Sequence, residues 1–246
     1  MKKESMIINS HVIHTWRLPS AKPSILLVHG IGVSSEYYVR FMNAIAPDFD
    51  VHSIDLPGYG TTPKPTKPLS IRQLADIVNG YAEATGKTFI LVGQSMGSQI
   101  ITHAAAAKPD RFTHLILVAP TTNHDERSLL QQGFRLTQDI FHESFVANRV
   151  VFRNYIRMGL LRYIRTAQMM VADHIEETIA KVTTPIVIVT GERDKIAPYK
   201  WTSFLASKAP SATTVVVKDA PHLIQFAKPN ELARITRKFT YSDEVD

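Results

Sequence analysis

The stretch Phe89-Ile90-Leu91-Val92-Gly93-Gln94-Ser95-Met96-Gly97-Ser98-Gln99-Ile100 constrains this chain more than any other. A short apolar, partly β-branched run of strand length stops at Gly93. After Gly97 the spacing of Ile100, Ile101 and Ala104 to Ala107 reads as a packed helix. A strand that turns this directly into a helix leaves the residue at the turn in a strained backbone conformation. Side chains two positions before and two after it would crowd the neighbouring strand and helix. Gly93 and Gly97 occupy those two positions, and Ser95 is at the tip. The plainer alternative is an ordinary strand-to-helix turn with an exposed serine, and the remainder of the chain has to decide between them.

That remainder has the same rhythm. Met6 to Trp16 alternates as one or two edge strands, broken at Asn9 and Ser10 and ended near Pro19. Ser24 to Val28 is a continuous apolar run, as expected of a strand covered on both faces, and it feeds straight into His29-Gly30-Ile31-Gly32. A helix over Glu36 to Ala46 and a strand over Val51 to Ile54 follow, ending in Asp55-Leu56-Pro57-Gly58-Tyr59-Gly60. Prolines 63, 65 and 68 make the next segment an extended loop. Ser70 with Gln73 three residues on forms a capping box, with Leu69 and Leu74 at staple spacing, for a helix running to Thr85 and stopped by Gly86. After the central stretch, whose helix ends at Lys108-Pro109, come a strand at Leu115 to Val118 and, beyond a long interval, strands at Pro185 to Thr190 and Thr213 to Val217. Helices are expected over Pro198 to Lys208 and Glu231 to Phe239. Strands alternating with helices imply a mostly parallel sheet with helices on both faces.

The rhythm breaks only between Thr121 and Thr184, where the patterns are helical, over Ser128 to Phe145 and Ala147 to Tyr163. This is an insertion, so residues 1–120 and 185–246 form the core and 121–184 a helical cap.

The chain has 246 residues, 44% hydrophobic and 20% charged, which suits one domain with a sizeable core and excludes disorder as its main state. It has no cysteine, which removes thiolate nucleophiles and cysteine metal sites. The N-terminus lacks the apolar core and cleavage site of a signal peptide, and no stretch approaches the roughly 18 apolar residues of a membrane span. The cytoplasm is therefore the expected compartment. A net charge of +6 weakly favours acidic ligands or surfaces. No aromatic and basic recognition module points to nucleic acid.

A serine hydroxyl needs a base to take its proton and an acid to hold that base in the right tautomer. Asp194, in Gly191-Glu192-Arg193-Asp194, follows one buried strand, and His222, in Asp219-Ala220-Pro221-His222, follows the last. The order Ser95, Asp194, His222 is the order such a turn requires. Taken singly, Asp194 reads equally as a solvated loop acid and His222 as a surface or capping histidine. Glu192 and Asp219 are rival acids, although Asp219 is close enough to His222 to serve its loop. The other histidines lack this placement, and His29 is read as structural. Backbone N–H groups aimed at a developing oxyanion are also needed. Met96 supplies one and Ile31 is the candidate for the other. No metal or cofactor is called for.

With these pieces in place, the chain resembles the α/β-hydrolase superfamily over nearly all its length. The matching motifs are HGIG at 29–32, DLPGYG at 55–60, GQSMG at 93–97, GERDKIAP at 191–198 and APH at 220–222. The resemblance implies an eight-stranded sheet, nucleophile Ser95, acid Asp194, base His222 and a cap after the sixth strand. It departs locally, with Pro221 where Gly is usual before the histidine. A serine at the turn sets the chain apart from the dehalogenase and epoxide hydrolase branches, which use a carboxylate there. The expectation is a serine hydrolase cleaving a carboxylic ester of a small or medium acyl substrate. Carbon–carbon, lactone or thioester hydrolysis is the alternative, with a non-catalytic ligand-binding protein outside the enzymes.

Within the insertion, Arg149, Arg153, Arg157, Arg162 and Arg165 stand in a segment without any acid. The first three are four apart and form one stripe on a helix, with Val150, Val151, Ile156 and Leu160 largely elsewhere. The stripe reads first as a solvated lid face, and otherwise as a surface for an anionic substrate, headgroup or membrane. Phe134, Phe141, Phe145, Tyr155, Met158, Met169 and Met170 read as core or as the lining of an acyl pocket.

Overall fold

The computed structural model describes residues 1–125, 128 and 145–241. Eight strands form one sheet: β1 (Lys2–Ile8), β2 (His11–Leu18), β3 (Ser24–Val28), β4 (Asp50–Asp55), β5 (Phe89–Gln94), β6 (Phe112–Val118), β7 (Ile186–Gly191) and β8 (Ala212–Val217). Their order is β1-β2-β4-β3-β5-β6-β7-β8. β1 and β2 are antiparallel additions at one edge, and every pairing from β4 to β8 is parallel.

The burial patterns follow from this order. β5 and β7 are buried at every position, because helices cover both faces of a central parallel strand. β8 is the far edge and is mostly half-exposed. The first strand begins at Lys2, earlier than the alternation suggested. Asn9 and Ser10, both at positive φ (47° and 66°), form its two-residue hairpin turn, matching the right-handed twist of the flanking strands.

The helices are α1 (Val39–Ile45), α2 (Ile71–Thr85), α3 (Met96–Ala107), α4 (Phe145–Met158), α5 (Leu160–Ala172), α6 (Ile175–Ile179), α7 (Tyr199–Lys208), α8 (Ile224–Ala227) and α9 (Pro229–Tyr241). α1 packs with α9, whereas α2, α3, α6 and α7 pack in a row, which places helices on both faces. The capping box of α2 is formed: Gln73 N–H donates to Ser70 Oγ and Ser70 N–H to Gln73 Oε1. Gly86 ends the helix in the left-handed conformation.

Two expectations need correction. The helix expected from Glu36 starts as a 3-10 turn over Ser35–Tyr38 and becomes α-helical only at Val39. The single helix expected over 147–163 is two helices, broken at Gly159, whose φ of 85° no continuing helix accommodates. The short helices α6 and α8 have no counterpart in the sequence patterns. The helix expected over Ser128 to Phe145 lies almost wholly outside the described residues, as do Phe134, Phe141 and the side chain of Phe145.

From β3 the chain runs to β4 on one side, whereas β5 pairs on the other. Strand order reverses at this point, so the loops leaving the carboxyl ends of β3 and β5 diverge and open a crevice. The His29–Gly32 loop and Ser95 stand at that opening.

Candidate active site

Ser95 joins β5 to α3 with φ 56° and ψ −120°, a conformation costly for a non-glycine residue. The surroundings enforce it. A Cβ on Gly93 would lie 2.4 Å from the Gly97 carbonyl oxygen, and one on Gly97 would lie 2.2 Å from the Val28 carbonyl oxygen. Both are far inside van der Waals contact, so only glycine permits the turn. Ser95 N–H donates to the Val118 carbonyl at 2.9 Å, and Ser98 Oγ donates to the Gly93 carbonyl at 2.7 Å.

Asp194 and His222 come together across the loops after β7 and β8. His222 Nδ1 is 2.9 Å from Asp194 Oδ2. Asp194 Oδ1 accepts from the backbone N–H groups of Ile196 and Ala197 at 2.8 and 2.9 Å. Bound in this way, the carboxylate presents Oδ2 as an acceptor to the imidazole, which holds the His222 proton on Nδ1 and leaves Nε2 as the basic nitrogen. The close approach needs Gly191, where a Cβ would lie 2.4 Å from the Ala220 carbonyl oxygen. The rival acids are used otherwise. Glu192 Oε2 accepts from Asp219 N–H at 2.9 Å, and Asp219 pairs with Arg193. Both are exposed and shape the two loops.

The backbone N–H groups of Ile31 and Met96 have no acceptor among the described residues. Met96 is the first residue of α3, where helix geometry leaves the N–H unpaired and the helix dipole favours negative charge. Gly30 brings the Ile31 loop close, since a Cβ there would lie 3.2 Å from Ser95 Cβ.

Two residues that the sequence patterns do not single out tie these loops together. Gly30 N–H donates to Tyr37 Oη at 3.1 Å, and Tyr37 Oη–H donates to Gln94 Oε1 at 3.0 Å. Gln94 Nε2 then donates to the His222 carbonyl at 3.4 Å. Burial pushes the Tyr37 phenol well above its usual pKa, so it stays a donor. Gln94 occupies a position of the turn motif that sterics leave free, and nothing in the sequence pairs it with Tyr37. His29 is wholly buried, and burial lowers its pKa despite the nearby Asp55. The neutral ring accepts Leu56 N–H at Nε2 (3.1 Å) and donates from Nδ1 to the Gly30 carbonyl (2.8 Å). Asp55 accepts Ser35 N–H at 2.7 Å, which fixes the adjoining turn.

Helices α4 and α5 rest on this rim. The Tyr155 ring abuts Gly32, Ser34 Oγ is 3.2 Å from Asn154 Oδ1, Arg153 pairs with Glu36, and Arg162 donates to the Pro65 carbonyl at 2.5 Å. At the far end Gln99 Nε2 reaches Asp173 Oδ2 at 3.1 Å, and His103 Nε2 reaches Asp173 Oδ1 at 2.7 Å. A crevice between α4 and the β3 and β4 loops is lined by Val33, Tyr59, Lys64, Arg157 and Met158 among others, and not by Ser95, Asp194 or His222. Met158 and Met170 are buried, whereas Tyr155 and Met169 are half-buried. Among the described residues no cluster of three His, Asp or Glu could hold a metal ion, and no helix is long and apolar enough to cross a membrane.

Comparison with known proteins adds to this picture. The alpha/beta hydrolase family model matches residues 25–235. The pimeloyl-(acyl-carrier protein) methyl ester esterase of Yersinia pseudotuberculosis serotype O:1b is 28% identical over 87% of this chain and 92% of its own length. The crystal structure of a bacterial membrane phospholipase A superposes with a TM-score of 0.86 at 18% identity, covering 100% of this chain and 87% of that one. An E-2-(acetamidomethylene)succinate hydrolase superposes with a TM-score of 0.81 at 20% identity, covering 97% and 98% of the two chains. At these identities the two structures share the fold.

Proposed function

Because this chain belongs to the alpha/beta hydrolase family, a hydrolase fold that hosts many reactions, we propose that it cleaves a carboxylic ester of a small or medium acyl group through an acyl-enzyme on Ser95. Ser95 Oγ gives its proton to His222 Nε2 and attacks the acyl carbon. The oxyanion is held by the Ile31 and Met96 N–H groups. The alcohol leaves with the proton from His222. Water, deprotonated by the same nitrogen, then attacks the acyl-enzyme, and the carboxylic acid departs as Ser95 regains its proton. Helices α4 and α5 act as part of a cap over the crevice. The substrate is a small molecule, the compartment the cytoplasm, and no cofactor takes part.

The observation that carries this reading is the 2.9 Å bond from His222 Nδ1 to Asp194 Oδ2, with the second carboxylate oxygen held by two backbone donors. The ester named in the Yersinia relative supports the bond type. A p-nitrophenyl ester chain-length series on wild type and Ser95→Ala tests it, with a fluorophosphonate label as a second readout. Turnover should fall by about 10⁴-fold or more in the variant. Labelling of wild type without ester cleavage would move the reading to a carbon–carbon, lactone or thioester bond. Failure to label would sink the serine mechanism.

A further inference from the structure

Ten large hydrophobic side chains are exposed among the described residues, and five of them fall within thirteen positions of the inserted helices: Phe152, Ile156, Leu160, Leu161 and Ile164. Their exposure runs from 39% at Ile164 to 75% at Leu160. Ile156, Leu160 and Leu161 flank the Gly159 break, so they project together from the corner where α4 turns into α5. Isolated exposed apolar residues need no explanation, but a concentration of this kind marks an interaction surface.

The charges beside it have one sign. Residues 145–172 contain five arginines and no acid. Arg153 and Arg162 are spent on holding the helices to the core, through Glu36 and the Pro65 carbonyl. Arg149, Arg157 and Arg165 are exposed and have no ion-pair partner among the described residues. On α4, Arg149, Phe152 and Ile156 follow helical i, i+3, i+7 spacing. On α5, Leu161, Ile164 and Arg165 share a face in the same way. Each helix thus presents a mixed apolar and cationic stripe to solvent rather than the separated faces that the sequence suggested.

We propose that this corner docks on a lipid bilayer bearing anionic headgroups. The leucines and isoleucines enter the headgroup and acyl boundary while Arg149 and Arg165, which share their faces, meet the negative surface; Arg157 turns towards the crevice beside α4. This combination is what an interfacial helix requires, and neither half suffices alone. The apolar corner distinguishes a bilayer from a soluble acidic protein, to which leucines exposed at the Gly159 break offer less. Binding does not depend on turnover, so the surface stands or falls separately from the Ser95 mechanism.

The test is co-sedimentation with vesicles of equal phosphatidylglycerol and phosphatidylcholine, against phosphatidylcholine alone. Wild type and Ser95→Ala are compared with Leu160→Ser/Leu161→Ser and with Arg149→Ser/Arg165→Ser. Wild type and Ser95→Ala should bind the anionic vesicles, and raising salt from about 0.05 to about 0.5 M should release the greater part. Each double variant should lose at least about fivefold of the bound fraction. Its p-nitrophenyl butyrate turnover should stay at the wild-type level, since these side chains point away from the core. No binding to anionic vesicles overturns the proposal, and so does equal binding to neutral ones. A concentration-dependent dimer lost in the leucine variant overturns it by assigning the corner to a second copy. Binding to an acidic acyl carrier protein without vesicle binding overturns it by assigning the corner to a protein.

Discussion

Gln94 Nε2 donates to the backbone carbonyl of His222 at 3.4 Å, so the residue preceding the serine is joined to the backbone of the histidine. Its other amide atom accepts from Tyr37, which also receives the Gly30 N–H. Three loops that never meet in sequence are therefore held in one buried chain of hydrogen bonds.

Gln94→Glu keeps the acceptor towards Tyr37 and puts a carboxylate against the His222 carbonyl. Leaving buried groups unpaired costs about 1–3 kcal/mol each. The expected result is a kcat on p-nitrophenyl butyrate lower by about 10- to 100-fold, with KM within about threefold. Tyr37→Phe should lower kcat less, because the Gln94 to His222 bond survives. An unchanged kcat in both would remove any positioning role for the chain.

Asp194→Asn removes the charge that fixes the His222 proton on Nδ1. A loss of about 10³- to 10⁴-fold in kcat is expected, with the fold intact by circular dichroism. Asp219→Asn and Glu192→Gln, whose carboxylates bond to Arg193 and to the Asp219 N–H, should stay within about tenfold. Comparable losses from Asp219→Asn would reassign the acid.

Two glycines separate strain from collision. Gly86 has φ 66°, and no atom lies within 4 Å of where an alanine methyl would stand, so Gly86→Ala should meet strain alone. It should cost about 1–2 kcal/mol, or about 2–8 °C of melting temperature. A Cβ on Gly97 meets the Val28 carbonyl oxygen at 2.2 Å. Gly97→Ala should therefore cost more than about 3 kcal/mol or prevent soluble expression. Equal melting temperatures for the two variants would contradict the packing at the turn.

Acid should weaken the fold before its carboxylates protonate. Burial lowers the pKa of His29, against the pull of Asp55, and that of His52, against its hydrogen bond to Asp50. Below the ordinary imidazole value of 6.5 the unfolded chain binds protons that the folded chain refuses, so stability falls as pH drops from about 7 towards 5. Each histidine contributes up to about 1.4 kcal/mol per pH unit. Asp50 acts lower down. Burial alone would raise it, but Lys87 and His52 outweigh that and hold it below the usual carboxylate range. Its contribution is present above the unfolded value of 3.8 and is lost only in stronger acid. Urea midpoints at pH 7.5 and 5.5 check the sign, and a higher midpoint at pH 5.5 would reverse it.

The sequence by itself determined the core strands, the bounds of α2 and the turn that carries Ser95. A parallel strand covered on both faces must be apolar throughout, which made β3, β5 and β7 readable. Ser70, Gln73 and Gly86 act within a few residues of themselves, so the bounds of α2 were readable too. Gly93 and Gly97 answer to a local steric demand and marked Ser95. What only the tertiary structure decided depends on partners distant in the chain. The Gln94 to His222 bond needs β5 beside the loop after β8, and the pairing of His222 with Asp194 needs two loops to meet at Gly191. Ile156, Leu160 and Leu161 have the composition of core residues. Whether an apolar side chain is core or surface is settled by what packs on it, and periodicity carries no information about that neighbour.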